Sequence, residues 1–297
     1  MLSFIEKVVF LILTISCLGV SYITFSKMFK IISLGSNQLS WTGVIKNWKS
    51  GLSVFLTQKT LFKTRPFIGI IHAFVAWGFS LYLIVNIVDV LYGFIPDFKF
   101  FPNHIVGDTY RLFVDIFSVL VLCGIFYFLI RRFLFRDQKL MIKKPVLLSE
   151  IAISGMRFDS LLVGAFIIIH VGSRFLSASF EIASSHPDWS QPAANMTARL
   201  WINLQPNTII MLEHITWWLA IGLILVFLPY FPMSKHAHIF MGPLNIMAKE
   251  KRRSMASLEK IDFEDDNIEQ FGSSRIEHLP QNQLLDGYAC IQCSRCQ

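Results

Sequence analysis

The run YRLFVDIFSVLVLCGIFYFLI, Tyr110–Ile130, followed at once by Arg131 and Arg132, decides the fold class. An apolar helix of about 20 residues rises about 30 Å, the thickness of a bilayer's hydrocarbon layer. Four more runs of this kind accompany it: Phe4–Phe25, Phe67–Tyr92, Leu161–Ile182 and Thr208–Phe231. None alternates polar with apolar residues as a barrel strand would. Backbone groups in lipid must be bonded within the segment, so each run is predicted to be a helix. Of 297 residues, 54% are hydrophobic and 16% charged, and mean hydropathy is +0.53. A soluble chain averages about 25% charged residues. The expected fold is all-α, a bundle of five transmembrane helices followed by a polar tail.

The formal net charge of +7 is not gathered on one soluble module, which argues against a nucleic-acid partner. The basic residues fall between the apolar runs. One connection carries Lys27, Lys30, Lys46, Lys49, Lys59, Lys63 and Arg65, and another Arg131, Arg132, Arg136, Lys139, Lys143, Lys144 and Arg157. The segment after the fifth run carries Lys235, Lys249, Lys251, Arg252 and Arg253, while the alternate connections hold little beyond Lys99 and Arg199. By the positive-inside rule the N-terminus lies outside and the C-terminus in the cytoplasm, in a multi-pass protein of the cytoplasmic membrane. The first run lacks a basic leader region and a small-residue cleavage site, and reads as a retained span. Within Lys27–Arg65 a helix is expected to lie on the inner leaflet. Trp217 and Trp218 read as an aromatic belt at the outer interface.

The chain is expected to divide into a haem-binding membrane domain, 1–247, a polar cytoplasmic linker and docking segment, 248–285, and the start of a ferredoxin-like domain, 286–297. Cys290, Cys293 and Cys296 stand at C-x-x-C-x-x-C spacing. This is the opening of the bacterial ferredoxin run, whose fourth cysteine is expected after three intervening residues. Soft thiolates suit a 4Fe–4S cluster; zinc or inert thiols are the alternatives. Thiolates ready for a metal require a reducing compartment, which again places this end in the cytoplasm. Cys17 and Cys123, alone in apolar runs, read as small buried hydrophobes.

Histidines in spans are costly and are candidates for function. His72 near the inner end of the second run, and His236 and His238 after the fifth, are placed to bind one haem. His170 and His214 are placed to bind a second, since porphyrin needs an apolar slot with two axial nitrogens. Each has the plainer reading of a hydrogen-bonded core histidine. His214 and His236 are 22 residues apart, about 33 Å along an ideal helix, which is long for two haems unless the chain unwinds at Pro229 or Pro232. Arg174, one turn after His170, is either a propionate partner or a snorkelling side chain. Lys235 reads first as a positive-inside anchor. Asp89 and His104 at the outer edge are candidates for quinone protons or solvated loop residues.

The segment Pro232-Met-Ser-Lys-His-Ala-His238-Ile-Phe-Met-Gly-Pro243, with the five spans and the histidines on the second and fifth, resembles the di-haem cytochrome b (gamma) subunit of respiratory nitrate reductase. The stretch Leu284-Leu-Asp-Gly-Tyr288-Ala-Cys-Ile-Gln-Cys-Ser-Arg-Cys296 resembles the ferredoxin-like segment of heterodisulfide reductase-related membrane Fe–S oxidoreductases. Fused members of that group join a gamma-like membrane domain to ferredoxin and cysteine-rich modules, and some are of the electron-transfer flavoprotein:menaquinone oxidoreductase type. The resemblance implies an inner haem on His238 with His72 opposite. It further implies a second b haem, menaquinone or another quinone as substrate, and a cytoplasmic redox partner, either a flavoprotein or an Fe–S subunit. Where the gamma subunit has a second histidine on its second span, this chain has Tyr82, and His170 is the substitute.

The expected function is therefore quinone-linked electron transfer. The rivals are a haem-free anchor with a metal-binding tail, and a transporter, against which the scarcity of acids in the spans counts. Orientation is open to direct test. A C-terminal green fluorescent protein fusion should fluoresce in cells and a C-terminal alkaline phosphatase fusion should be inactive; the reverse pattern would overturn the assignment.

Overall fold

The computed structural model describes residues 2–102, 104–142, 148–248, 263–264 and 272–291, and every regular element among them is helical. Five helices are long and apolar enough to cross a bilayer: Phe4–Ser33, Pro66–Phe94, Ile105–Leu134, Glu150–Ser184 and Pro206–Phe227. The chain is thus an all-α, five-span membrane protein. In chain order the helices are α1 (Phe4–Ser33), α2 (Trp41–Lys46), α3 (Trp48–Thr57), α4 (Lys59–Thr64), α5 (Pro66–Phe94), α6 (Ile105–Leu129), α7 (Glu150–Ser184) and α8 (Pro192–Ala198). They continue with α9 (Pro206–Trp217), α10 (Leu223–Phe227), α11 (His238–Ala248) and α12 (Gln281–Ala289). Only 11–33% of the most apolar window of each span is buried. The remaining apolar surface is what lipid, rather than protein, would cover.

Local chemistry accounts for the helix ends. Proline stands at the first turn of α5, α8 and α9, where its missing N–H costs nothing. Ser149 caps α7 by accepting the Ala152 N–H. His104 caps α6, its Nδ1 accepting the Val106 N–H at 3.1 Å, so it serves the fold as a cap. α6 closes in a π-helical turn, Ile130–Leu134, and a second π turn, Trp218–Gly222, joins α9 to α10.

The last span ends at Phe227, earlier than the expected Phe231. Pro229 and Pro232 lack the N–H a continuing helix requires, and the chain proceeds through short 3-10 turns to His236. Ideal-helix geometry therefore does not relate His214 to His236.

The described chain forms two compact units, residues 2–21 with 61–230, and residues 22–60 with 231–291. In the first, α5, α6 and α7 pack around Tyr82, Val85, Val114, Val121, Ile125 and Val171. Small residues permit this approach. A Cβ at Gly78 of α5 would collide with the Val121 side chain of α6, and one at Gly124 of α6 would lie 2.9 Å from Val75 Cγ2. Cys123 is exposed on this unit's surface and Cys17 is half-buried, so the expectation that both are buried fails for Cys123. A cysteine is apolar enough for a lipid-facing position.

In the second unit Met28 and Ile32 of α1, Ala237, Met241 of α11 and Leu285 of α12 form the core. The connection expected to hold one surface helix holds three, α2 to α4. Trp41, Ile45, Trp48, Leu52 and Leu56 make an exposed stripe along α2 and α3, while the other side of α3 packs on α11. The expected linker ends in structure: Ser36 and Pro280 form an isolated parallel bridge, and α12 crosses the expected boundary at 285/286.

Gly78→Leu should overpack the α5–α6 contact and cost about 1–3 kcal/mol, seen as a lowered thermal midpoint in detergent. Gly155→Leu, which meets nothing within 4 Å, should leave the midpoint unchanged.

Candidate functional site

Within the first unit a largely buried ion pair joins two spans. Arg174 Nε on α7 lies 2.8 Å from Asp89 Oδ2 on α5, with side chains 16% and 10% exposed. Neither charge is tolerable alone in a bundle surrounded by hydrocarbon, and each answers the other. The pair tells against the plainer of the two expectations for each residue: Asp89 is not solvated in a loop, and Arg174 does not snorkel. Trp217 Nε1 donates to the Asp89 backbone carbonyl at 3.0 Å, and Trp218 Nε1 donates to Glu6 Oε1 at 3.2 Å. Both indoles are half-buried, and their N–H groups serve internal partners.

The pair opens on a cavity of about 620 Å³, bounded by the ends of α5, α7 and α9 and by residues of the connections 95–104 and 185–191. Its walls combine aromatic groups (Tyr92, Phe100, Tyr110 and Trp217) with Arg174, Lys99, Glu181, Glu213, His186 and His214. Arg111 and Asp188 line the cavity as well, with Arg111 Nε 2.7 Å from Asp188 Oδ2. Burial by itself would raise the Asp188 pKa. Hydrogen bonds from the Ser190 N–H, the Gln191 amide and Arg111 together outweigh it and hold the carboxyl below its ordinary 3.8.

Each of three candidate histidines is oriented by an acceptor. His170 is buried on α7, its Nδ1 2.8 Å from the Ala220 carbonyl in the π turn. A carbonyl can only accept, so Nδ1 carries the proton and a neutral ring keeps its lone pair on Nε2. Phe166 stacks on this imidazole at 5.8 Å, and Tyr82 meets it edge-on at 5.4 Å. The Tyr82 hydroxyl in turn lies 2.7 Å from Ser118 Oγ.

His214 Nδ1 lies 2.8 and 3.0 Å from the two carboxylate oxygens of Glu6 on α1. His238 Nδ1 donates to the Lys235 carbonyl. Holding one imidazole nitrogen through an acceptor is how proteins present the other to a metal. His214 lines the cavity; His170 does not, although Ala220, to which it is bonded, does.

His236 is buried, its ring 6.1 Å from that of Phe231. Burial, with the nearby His238 and Lys235, pushes its pKa down to about 3, and burial also holds His238 below its ordinary value. Both are neutral imidazoles at physiological pH. His72, on α5, has its ring 6.4 Å from that of Phe128. It belongs to the first unit and His236 and His238 to the second, so the pairing of His72 with His238 rests on the sequence. Cys290 stands exposed at the end of α12; Cys293 and Cys296 lie outside the described residues.

Sequence reasoning passed over several acids. Glu6 sits in the first turn of an apolar span, and Glu181 and Glu213 fall near span ends. Asp115 is buried in α6, accepting the Ala193 and Ala194 N–H groups at the start of α8, at 2.7 and 3.0 Å. Asp159 is buried in α7, where its Oδ1 accepts the Tyr230 hydroxyl at 2.9 Å. The spans are thus richer in acids than expected, and each of these aspartates has an internal partner.

Two curated proteins are similar to the chain. Over 245 residues, 80% of this chain, it is 32% identical to the probable iron-sulfur-binding oxidoreductase FadF of Bacillus subtilis (strain 168). Over 242 residues, 78% of this chain, it is 25% identical to the EtfAB:quinone oxidoreductase of Syntrophomonas wolfei subsp. wolfei. The similarity supports kinship with iron–sulfur oxidoreductases. The chain spans about a third of the length of these relatives, 32% of each. No family model matches it, and no solved structure matches at a significant level.

Arg174→Leu strands a buried carboxylate and should cost about 3–5 kcal/mol in detergent unfolding, whereas Arg174→Leu combined with Asp89→Leu should cost less than the sum of the single variants. Asp188 has its pKa lowered on folding, so its contacts stabilise above 3.8 and are lost as pH falls through the folded value. The stability gap between wild type and Asp188→Asn should therefore be full at neutral pH and close in acid. A gap that widened in acid would contradict this assignment.

Proposed function

We propose that the chain is the membrane part of a quinone-linked oxidoreductase that moves electrons between the quinone pool and a cytoplasmic redox protein, with b-type haem and a 4Fe–4S cluster as its redox groups. The observation that carries the reading is the cavity of the first unit onto which the Asp89–Arg174 pair opens. A quinone head is a flat ring whose interconversion with quinol moves two electrons and two protons. Tyr92, Phe100, Tyr110 and Trp217 offer flat apolar walls, Arg174 a cation, and Glu181 and Glu213 groups that accept or deliver protons. In quinol oxidation two O–H protons pass to such acceptors and onward to water, while two electrons leave through the protein; reduction is the reverse.

The haem and the cluster supply one-electron chemistry when bound. The chain's own contribution is ligation, burial and charge. His238, His170 and His214 fit axial ligation by the orientation of their rings, and His72 joins them on the sequence resemblance. His238 is preferred to His236 because its Nδ1–H is held by the Lys235 carbonyl. Arg174, already committed to Asp89, is better placed to keep a charge in the cavity than to serve a propionate. Cys290, Cys293 and Cys296 would supply three thiolates to the cluster.

The name of the Syntrophomonas relative supports quinone as the substrate and a flavoprotein of the Etf type as the soluble partner; that of the Bacillus relative supports iron–sulfur binding. The finer kinship, to heterodisulfide reductase-related enzymes with a gamma-like membrane domain, rests on the Pro232–Pro243 and Leu284–Cys296 motifs.

Purified protein should show split Soret and alpha bands in its reduced-minus-oxidised spectrum. His238→Ala and His72→Ala should each lower its haem content. Variants indistinguishable from wild type in haem, or fully loaded protein without these bands, would leave the haem-free anchor in place. Glu213→Gln should slow quinol oxidation by about 10²–10⁴-fold, the usual worth of a positioned proton acceptor, at unchanged haem content.

A further inference from the structure

The second unit handles its C-terminal tail in a way a flexible linker would not require. Three separate contacts hold the segment that leads into Cys290. Before α12, Ser36 N–H donates to the Leu279 carbonyl at 3.0 Å, and the Gln281 N–H returns a bond to the Ser36 carbonyl at 3.0 Å. The Gln281 side chain extends this joint by accepting the Leu39 N–H at 3.1 Å. The joint needs Gly35: a Cβ there would lie 2.7 Å from the Leu279 carbonyl oxygen and 2.9 Å from Gln281 N. In the middle of α12, Leu285 is fully buried. At its side, Asn245 of α11 donates to Asp286.

What these contacts bring together is informative. Leu285 is buried in the same core as Ala237, and Tyr288 and Ala289 pack against that core. Ala237 stands between His236 and His238, and Ala289 immediately precedes Cys290. The last turn of α12 therefore packs into the core that contains the middle residue of the histidine segment.

We infer that α12 is a positioning strut. It seats the start of the cysteine run beside the His236–His238 segment, so that a redox group held by the one is close to a redox group held by the other. The inference rests on the reading proposed above and adds to it a residue-level device. Electron tunnelling weakens steeply with distance, and functional groups are placed most accurately when rigid, packed elements carry them. On this view Gly35, Leu285 and Gln281 touch no reacting atom, yet they set the rate at which the two groups exchange an electron.

The test uses the full-length protein and two readouts. Hydrogen exchange should show the amides of 281–289 protected in wild type and in Leu285→Met, and released in Gly35→Val and Leu285→Asp. This readout requires neither haem nor cluster. In the same preparations, haem content, iron content and both midpoint potentials should stay at wild-type values in Gly35→Val. The rate of haem reduction after cluster reduction should fall by at least an order of magnitude. Broadening of the cluster's electron paramagnetic resonance signal by the neighbouring haem should weaken in parallel, and Leu285→Met should retain both signatures. Wild-type α12 amides exchanging as fast as an unfolded peptide would overturn the strut. So would Gly35→Val releasing the helix with rate and broadening unchanged. Preparations lacking haem altogether would instead overturn the functional reading, with exchange still deciding whether α12 is docked.

Discussion

A polar group removed from water must find its partner within the protein, and in a bundle bathed in hydrocarbon this condition governs almost everything else. Asp89 and Arg174 show it most plainly: two full charges on neighbouring spans, each affordable only beside the other. Milder cases surround them, such as the Tyr82 and Ser118 hydroxyls and the Asp115 carboxylate on the first N–H groups of α8. The apolar contacts of α5, α6 and α7 bring the spans together without selecting a rotation for each helix, because lipid tails cover a leucine as well as another leucine does. Polar pairs select the rotation.

The same condition prepares the imidazoles. His170 and His214 satisfy one ring nitrogen with the Ala220 carbonyl and the Glu6 carboxylate respectively, and His238 does so with the Lys235 carbonyl. The Ala220 carbonyl lies in a π-helical turn, the kind of local irregularity that recurs at functional sites. The cavity follows from the same placement: α5 and α9 carry Tyr92 and Trp217 of its wall close to Asp89 and Glu213, while α6 adds Tyr110 and the connection after α5 adds Phe100.

The second unit applies the rule where short helices replace spans. α11 is covered by α3 on one side and α12 on another, and the close approaches at Gly51 and Gly35 mark where backbone meets a neighbour. The outward stripe from Trp41 to Leu56, with Lys46 and Lys49 beside it, has the amphipathic character of a helix pair at a membrane surface. The tail is drawn into this unit through Leu285, which makes the region before the cysteines part of a folded body.

Five spans, their approximate limits and the helical class were readable from the sequence, because a run of about 20 apolar residues has few other options in water or in lipid. The histidines and cysteines stood out for a related reason: a coordinating side chain in an apolar run is conspicuous. The end of the last span was half-readable, since Pro229 and Pro232 announced a break without fixing where the helix stops. Pairing was not readable. Nothing near Asp89 in sequence announces Arg174, nothing near Glu6 announces His214, and nothing near Trp217 announces the Asp89 carbonyl that its indole N–H meets. Local sequence sets whether a segment is helical and how long it can be, because those depend on neighbours within a turn. Which side chains meet depends on how helices distant in sequence are rotated and stacked, and only the folded chain decides that.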